Sequence, residues 1–196
     1  IGASAETLKI DSEGRIVNTG ILNANHAVQL AGTKGIENRG KIENRQGDMT
    51  FNTAADIQQD GSVVARGGHI HQTANQAIHQ QGETVAKGHI TYKAPSVTAS
   101  TSSLIASGVE VKDSEQGEVR TLGNQSAQGK SITVITTGKT SLQGKNVASG
   151  NINVSSSEAD LDNSHTSAHE VNINASQGKI QANNAILIAN AELALI

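Results

Sequence analysis

The chain has no cysteine and no tryptophan, a single proline (Pro95), and only two aromatic side chains, Phe51 and Tyr92. Without thiols, neither a disulfide framework nor a thiolate metal site can form. No apolar run approaches the ~18 residues of a membrane-crossing helix, and no signal peptide is visible, so no membrane span is expected. Charge of one sign is also scarce. The net charge is −3, with nine basic and nine acidic residues in 1–98 and six against nine in 99–196. No basic stripe points to nucleic acid, and no Lys/Arg run points to a lipid surface. Leu, Ile, Val and Phe make only 43 of the 196 residues, close to the roughly one-fifth level associated with disorder. Disordered chains, however, carry more proline and charge and fewer isoleucines. What fills the gaps here is Asn, Gln, Ser, Thr, Gly and β-branched residues, a mixture suited to a core of many small, similar layers. The chain opens on Ile1-Gly2 without methionine, which reads as a fragment of a longer protein.

What the sequence does have is a period. "IVNTG" (16–20), "IENRG" (36–40), "IQQDG" (57–61) and "IHQQG" (78–82) start at intervals of 20, 21 and 21. They align three columns: Ile16, Ile36, Ile57 and Ile78; Asn18, Asn38, Gln59 and Gln80; and Gly20, Gly40, Gly61 and Gly82. A second set, "LKI" (8–10), "VQL" (28–30), "MTF" (49–51), "IHQ" (70–72) and "ITY" (90–92), keeps the same step. Near the C-terminus "ITV" (132–134), "INV" (152–154), "VNI" (171–173) and "AEL" (191–193) recur every 19 or 20 residues, with Leu142, Leu161 and Ile180 between them at 19. Each repeat holds three short stretches of alternating apolar and polar residues, punctuated by Gly, Asn or Asp, which read as strands and turns. Helical repeats need about 33 residues, and the leucine-and-asparagine consensus of a horseshoe repeat is missing. An all-β parallel β-helix, with three strands in each rung of ~20 residues, is expected. The doubled "IENRGKIENR" (36–45) is then two faces of one rung, with Ile36 and Ile42 inward and Gly40 at the corner between them. Glycine is expected there because φ > 0 costs it little. Asn and Gln at a repeated position can stack as an amide ladder across ~4.8 Å; plain turn residues are the alternative.

Residues 5–96 form the first array and 131–196 the second. Between them, 97–130 is an irregular rung, and "VEVKDSEQGEVR" (109–120) reads as strand, acidic turn, strand. Glu110, Asp113, Glu115 and Glu118 could not sit in a narrow core, so either a hairpin or loop leaves the shaft here or the rung has a longer solvated turn. Lys112, Asp113, Glu115 and Glu118 are the candidate interaction residues. Ten rungs at ~4.8 Å make a rod of roughly 50 Å. The apolar end "NAILIANAELALI" (184–196) suggests capping, or end-to-end self-association of chains.

Sites of chemistry are sought with less result. His69 and His89 share a column and are the candidate metal pair, with His71 or His79 as a third ligand; solvent-facing histidines are the commoner meaning. His165 and His169 have i, i+4 spacing with no helix expected. No nucleophile elbow is present. Asp56 and Asp60 lie in one turn and Asp160 and Asp162 in another, with no charged partner expected in the adjacent rung, as exposed turn aspartates would be. No catalytic residue and no cofactor are assigned. Three glycosylation sequons, at Asn124, Asn153 and Asn174, are expected by chance in so Asn/Ser-rich a chain.

"LKIDSEGRIVNTGILNA", "IENRGKIENRQGDMTFNTAADIQQDGSVVARGGHI" and "STSSLIASGVEV…GKSITVITTGKTSLQGKNVASGNINVSSSEADLDNS" resemble the haemagglutinin repeats of filamentous haemagglutinin and related two-partner-secretion exoproteins. That group includes contact-dependent growth-inhibition effectors and haemolysin-type adhesins. The resemblance covers nearly the whole chain and rests on the period and the N-x-G corners. It implies a right-handed parallel β-helical shaft, secreted through a dedicated outer-membrane transporter to the surface of a Gram-negative bacterium, where it meets a receptor or glycan on a host or neighbouring cell. The family's secretion domain carries Asn-Pro-Asn motifs, which this chain lacks, so an internal shaft segment is implied. The function expected is structural and adhesive, with a β-helix carbohydrate-active enzyme (polysaccharide lyase or hydrolase) as the alternative.

Overall fold

The computed structural model describes residues 3–98, 103–105, 108–112, 118–119, 129–135, 138–142 and 144–196. Among them every regular element is a strand. The strands stack in parallel as a β-solenoid, a parallel β-helix whose wall has three faces. One turn runs Val28–Gly32, Ile36–Asn38 and Lys41–Asn44, and the next runs Met49–Thr53, Ile57–Gln59 and Ser62–Ala65. Each strand pairs with its counterpart about 20 residues away, and in the first array, where three strands make a turn, it skips its neighbours in sequence. Burial alternates along each strand, so every second side chain enters the core, as strand geometry requires.

The pairing makes files of stacked side chains. On one face Leu8, Val28, Met49, Ile70, Ile90, Val109, Ile132, Ile152, Val171 and Leu193 stand over one another without a break. On the next face Ile16, Ile36, Ile57 and Ile78 form a single inward file, and Ile36 and Ile42 of the doubled motif are both buried. The two strands of "VEVKDSEQGEVR" belong to this stack. Gly108–Lys112 lies in parallel between His89–Lys93 and Gly129–Ile135, and Glu118–Val119 between Ser96–Thr98 and Lys139–Ser141. The hairpin or loop expected at 109–120 has its centre, with Asp113 and Glu115, outside the described residues, as are the side chains of Lys112 and Glu118.

Two registers differ from the periodic reading. Leu193 rather than Ala191 stands over Val171, an interval of 22, because the strand shifts register between Ala168 and Glu170. Ile180 faces Ala159, not Leu161. Both slips are of two residues. Side chains alternate with period two, so such a slip leaves inside and outside unchanged and is silent in an apolar/polar pattern.

The corner glycines are there for a different reason from the one the sequence suggested. Positive φ among glycines occurs at Gly35, Gly47 and Gly178, not at Gly20, Gly40, Gly61 or Gly82. What the column requires is close approach. A Cβ on Gly40 would stand 2.1 Å from the Gly20 carbonyl oxygen, on Gly61 2.0 Å from that of Gly40, and on Gly82 1.8 Å from that of Gly61. The second array has no such column, and Gly144–Asp160 and Ser164–Gln181 run as continuous strands through their corners. Their register shifts, between Val147 and Asn151 and between Ser156 and Glu158, are bulges, and Gly150 and the positive-φ Gly178 lie within them.

Substituting Gly61→Ala should therefore cost more than a typical loss of chain flexibility could explain, on the order of 1–3 kcal/mol or more from overpacking. Gly14→Ala is the control, since its Cβ would meet only Ser12 Oγ at 3.5 Å. Denaturant melts of the two variants should separate clearly; equal midpoints would remove close approach as the reason for the column.

Candidate functional site

The Asn/Gln column is a buried seam at the corner between two faces. Asn18 Nδ2 donates to Asn38 Oδ1 at 2.8 Å, and Asn38 Nδ2 donates to Gln59 Oε1 at 3.1 Å. The relay ends there, because Gln59 Nε2 donates to the Gly61 carbonyl at 3.1 Å instead of reaching Gln80. Gln80 does the same with Gly82 at 2.9 Å, while its Oε1 accepts from the Tyr92 hydroxyl at 3.2 Å. Tyr92 is wholly buried, and burial pushes its phenol well above the usual range. The backbone of the same corner is shared between turns: the Asn38 carbonyl accepts the amides of both Asp60 and Gly61 at 2.8 Å. Glycine thus lets the turns close on one another, and the amides of Asn18, Asn38 and Gln59 fill the space inside.

The doubled motif has an outer counterpart in charge. Glu37 meets Arg39 at 2.7 Å and Arg15 of the turn before at 3.8 Å, and Arg15 reaches on to Asp56 at 3.1 Å. Glu43 is held between Lys41 and Arg66. In each copy of IENR the glutamate is the outward residue between two buried ones, so the repeat writes one ionic clamp on each of two faces. The Lys41 hydrogen bond is the largest influence on Glu43; burial opposes it, and the Arg66 hydrogen bond helps to keep the carboxyl below its usual value.

The aspartates are less isolated than the sequence indicated. Lys139 lies 3.3 Å from Asp160 across adjoining turns, and Arg15 serves Asp56 from two turns away, because stacking brings residues about 20 and 40 positions apart together. Asp60 accepts from Gln58 Nε2 at 2.6 Å. Asp162 is surrounded by amides: the Asn183 backbone N–H at 2.6 Å and Gln181 Nε2 at 2.5 Å hold its carboxyl below the ordinary range. Asn163 and Asn184, with φ of 58° and 53°, turn this same corner in successive turns. Their 21-residue spacing was readable, but nothing in an Asn-rich sequence singled them out.

His69 and His89 do stack, with ring centroids 5.4 Å apart, and His71 lies 5.9 Å from His69 on the other side. His79 is on a different face, paired with Gln58 and Thr98. The His69 ring nitrogen Nδ1 accepts the His89 backbone N–H at 2.9 Å, as Asp48 Oδ1 accepts that of His69 one turn below. The imidazole therefore acts as a cap for the strand above it, and this atom is engaged in that contact. Among the described residues no group of three or more His, Asp or Glu side chains is gathered as a metal ion requires. His165 sits on the second long strand beside Lys145, and His169 is exposed at its register shift.

A groove of about 390 Å³ runs along the second array, with Thr133, Asn153 and Asn172 on one row and Ile135 and Ile196 at its side. Asn172 Nδ2 donates to Asn153 Oδ1 at 3.1 Å along that row. Neither aromatic residue of the chain reaches solvent, since Phe51 and Tyr92 are both completely buried. No ring is thus available on which a sugar could stack. Among the described residues no helix is long and apolar enough to cross a membrane. No family model, curated protein or solved structure matches the chain.

Glu43 gives a pH test with a definite sign. Its folded-state pKa lies below the unfolded value of about 4.3, so its contribution is present at neutral pH and is lost as pH falls through the lowered folded value. The wild type should exceed Glu43→Gln at pH 7 by up to about 1 kcal/mol, the range of surface pairs. In urea melts that difference should shrink steadily as pH is lowered from 5 toward 2; a difference that stays constant over that range would mean the carboxylate charge is not its source.

Proposed function

We propose that the chain is a structural and adhesive shaft segment of a large secreted surface exoprotein of a Gram-negative bacterium, of the two-partner-secretion kind. It holds a distal binding or toxin domain away from the cell, and its parent meets a receptor or glycan on another cell. The observation that carries this reading is the unbroken file of ten apolar residues from Leu8 to Leu193, which joins the two arrays into one stack. The backbone of each turn pairs only with the turns beside it, an arrangement that makes a stiff rod from nearest-neighbour contacts. The surface chemistry supports a mechanical role. Glu37, Glu43, Asp56 and Asp160 are each taken by a basic partner.

Solution scattering should give a rod whose axial length is roughly 45 Å for ten stacked strands at ~4.8 Å; a compact particle would end the shaft reading. The acidic stretch 109–120 is its contact surface, since function concentrates on segments carried by a rigid scaffold. Removing residues 113–117 should lower attachment of protein-coated beads to cells while leaving the far-UV spectrum and melting unchanged. Undiminished attachment would place the contact elsewhere.

A second reading keeps one observation in its favour. Lys139 beside Asp160 on adjoining turns, with Asp162 at the same corner, supplies the acid and base types that a β-helix polysaccharide lyase or hydrolase uses. Release of reducing sugar or unsaturated uronate from a panel of polysaccharides, abolished by Asp160→Asn, would establish it. No release across the panel would leave the shaft.

A further inference from the structure

The turn built from Ile70–Ala74, Ala77–Gln80 and Glu83–Ala86 has a polar interior. Its three faces send Gln72, Gln80 and Thr84 inward, and all three are buried to within 1 % of completely. Gln80 is fully engaged, donating to Gly82 and accepting from Tyr92. Gln72 and Thr84 are not. Both amide atoms of Gln72 have no hydrogen-bond partner in the protein, and the Thr84 hydroxyl, which lies beside that of Tyr92, completes no well-formed bond to it. These three atoms belong to inward side chains of a single turn, which share one narrow layer of core.

That layer also carries slighter side chains than the turn below it. Along the file, Gln72 stands between Phe51 below and Tyr92 above. In the same step up the shaft, Thr53 gives way to Ala74 and Val63 to Thr84. A ring is thus replaced by a slender amide, and two neighbours become smaller. The rings on either side are fixed by their own strands in their own layers and cannot fill the space beside the amide.

We infer that this layer is a binding site for an ordered internal water molecule, held by Gln72 and Thr84 next to the Tyr92–Gln80 pair. A buried water needs two to four polar partners and about 30 Å³ of room. The orphan donor of Gln72, its orphan carbonyl and the Thr84 hydroxyl provide the partners, and the exchange of a ring for an amide provides the room. Without such a bridge, each atom would bear the full cost of lost hydration. The solenoid therefore has a wet layer between two aromatic ones.

A high-resolution crystal structure of the chain should show solvent density within hydrogen-bonding distance of both the Gln72 amide and the Thr84 hydroxyl. The double variant Gln72→Leu/Thr84→Val should lose that density and melt at or above the wild-type temperature, because donor and acceptors leave together. Wild-type density with the Gln72 amide turned onto protein atoms and no solvent beside it would overturn the site. So would a folded double variant that melts lower than the wild type. Should the double variant not fold, the wild-type density alone decides.

Discussion

The spacing between parallel strands, ~4.8 Å, governs everything else in this molecule. It places each residue directly over its equivalent in the turn before, so any side chain must tolerate near-identical neighbours above and below. Apolar residues do so by forming a continuous core. Amides do so by donating to the next amide. Charged residues gain from neighbours of opposite sign, and Glu37 and Glu43 find basic partners beside them and in adjoining turns.

The same spacing explains the glycine column. At Gly40, Gly61 and Gly82 the backbones of successive corners approach so closely that a methyl group would meet a carbonyl oxygen. Where the glycines stop, the chain finds another solution, and the long strands of the second array bend through bulges without leaving the sheet. The two arrays differ in how they turn, not in what they stack. Their common register crosses the region between them at Val109, which pairs with Ile90 on one side and Ile132 on the other.

Much of this was legible in the sequence because a repeat exposes its own alignment. Columns such as Ile16, Ile36, Ile57 and Ile78 needed no knowledge of tertiary structure to be placed on one inward line. The failures have physical causes. Ala191 was matched to Val171 because apolar/polar alternation cannot distinguish registers that differ by two. At 109–120 a hairpin or loop and a rung with a longer turn both stayed open, because the acidic stretch does not reveal whether the strands on either side of it remain in the stack. The glycines were assigned to backbone freedom because a one-dimensional pattern shows the residue but not the carbonyl above it. Lys139 beside Asp160 was missed because residues in adjoining turns are separated by a full period, and their side chains meet only when the register is known. Of the site chemistry, the pairing of His69 with His89 could be read, but the use of the imidazole as an acceptor for backbone N–H could not.

Because the backbone of each turn is hydrogen-bonded to its two neighbours alone, the shaft has no natural size. Duplicating or losing one stretch of about 20 residues would lengthen or shorten it by a single step, while every other contact stayed as it was. Reach is thus a heritable quantity that changes in increments set by the peptide group, and a lineage could adjust it by copying what it already has rather than by inventing new structure.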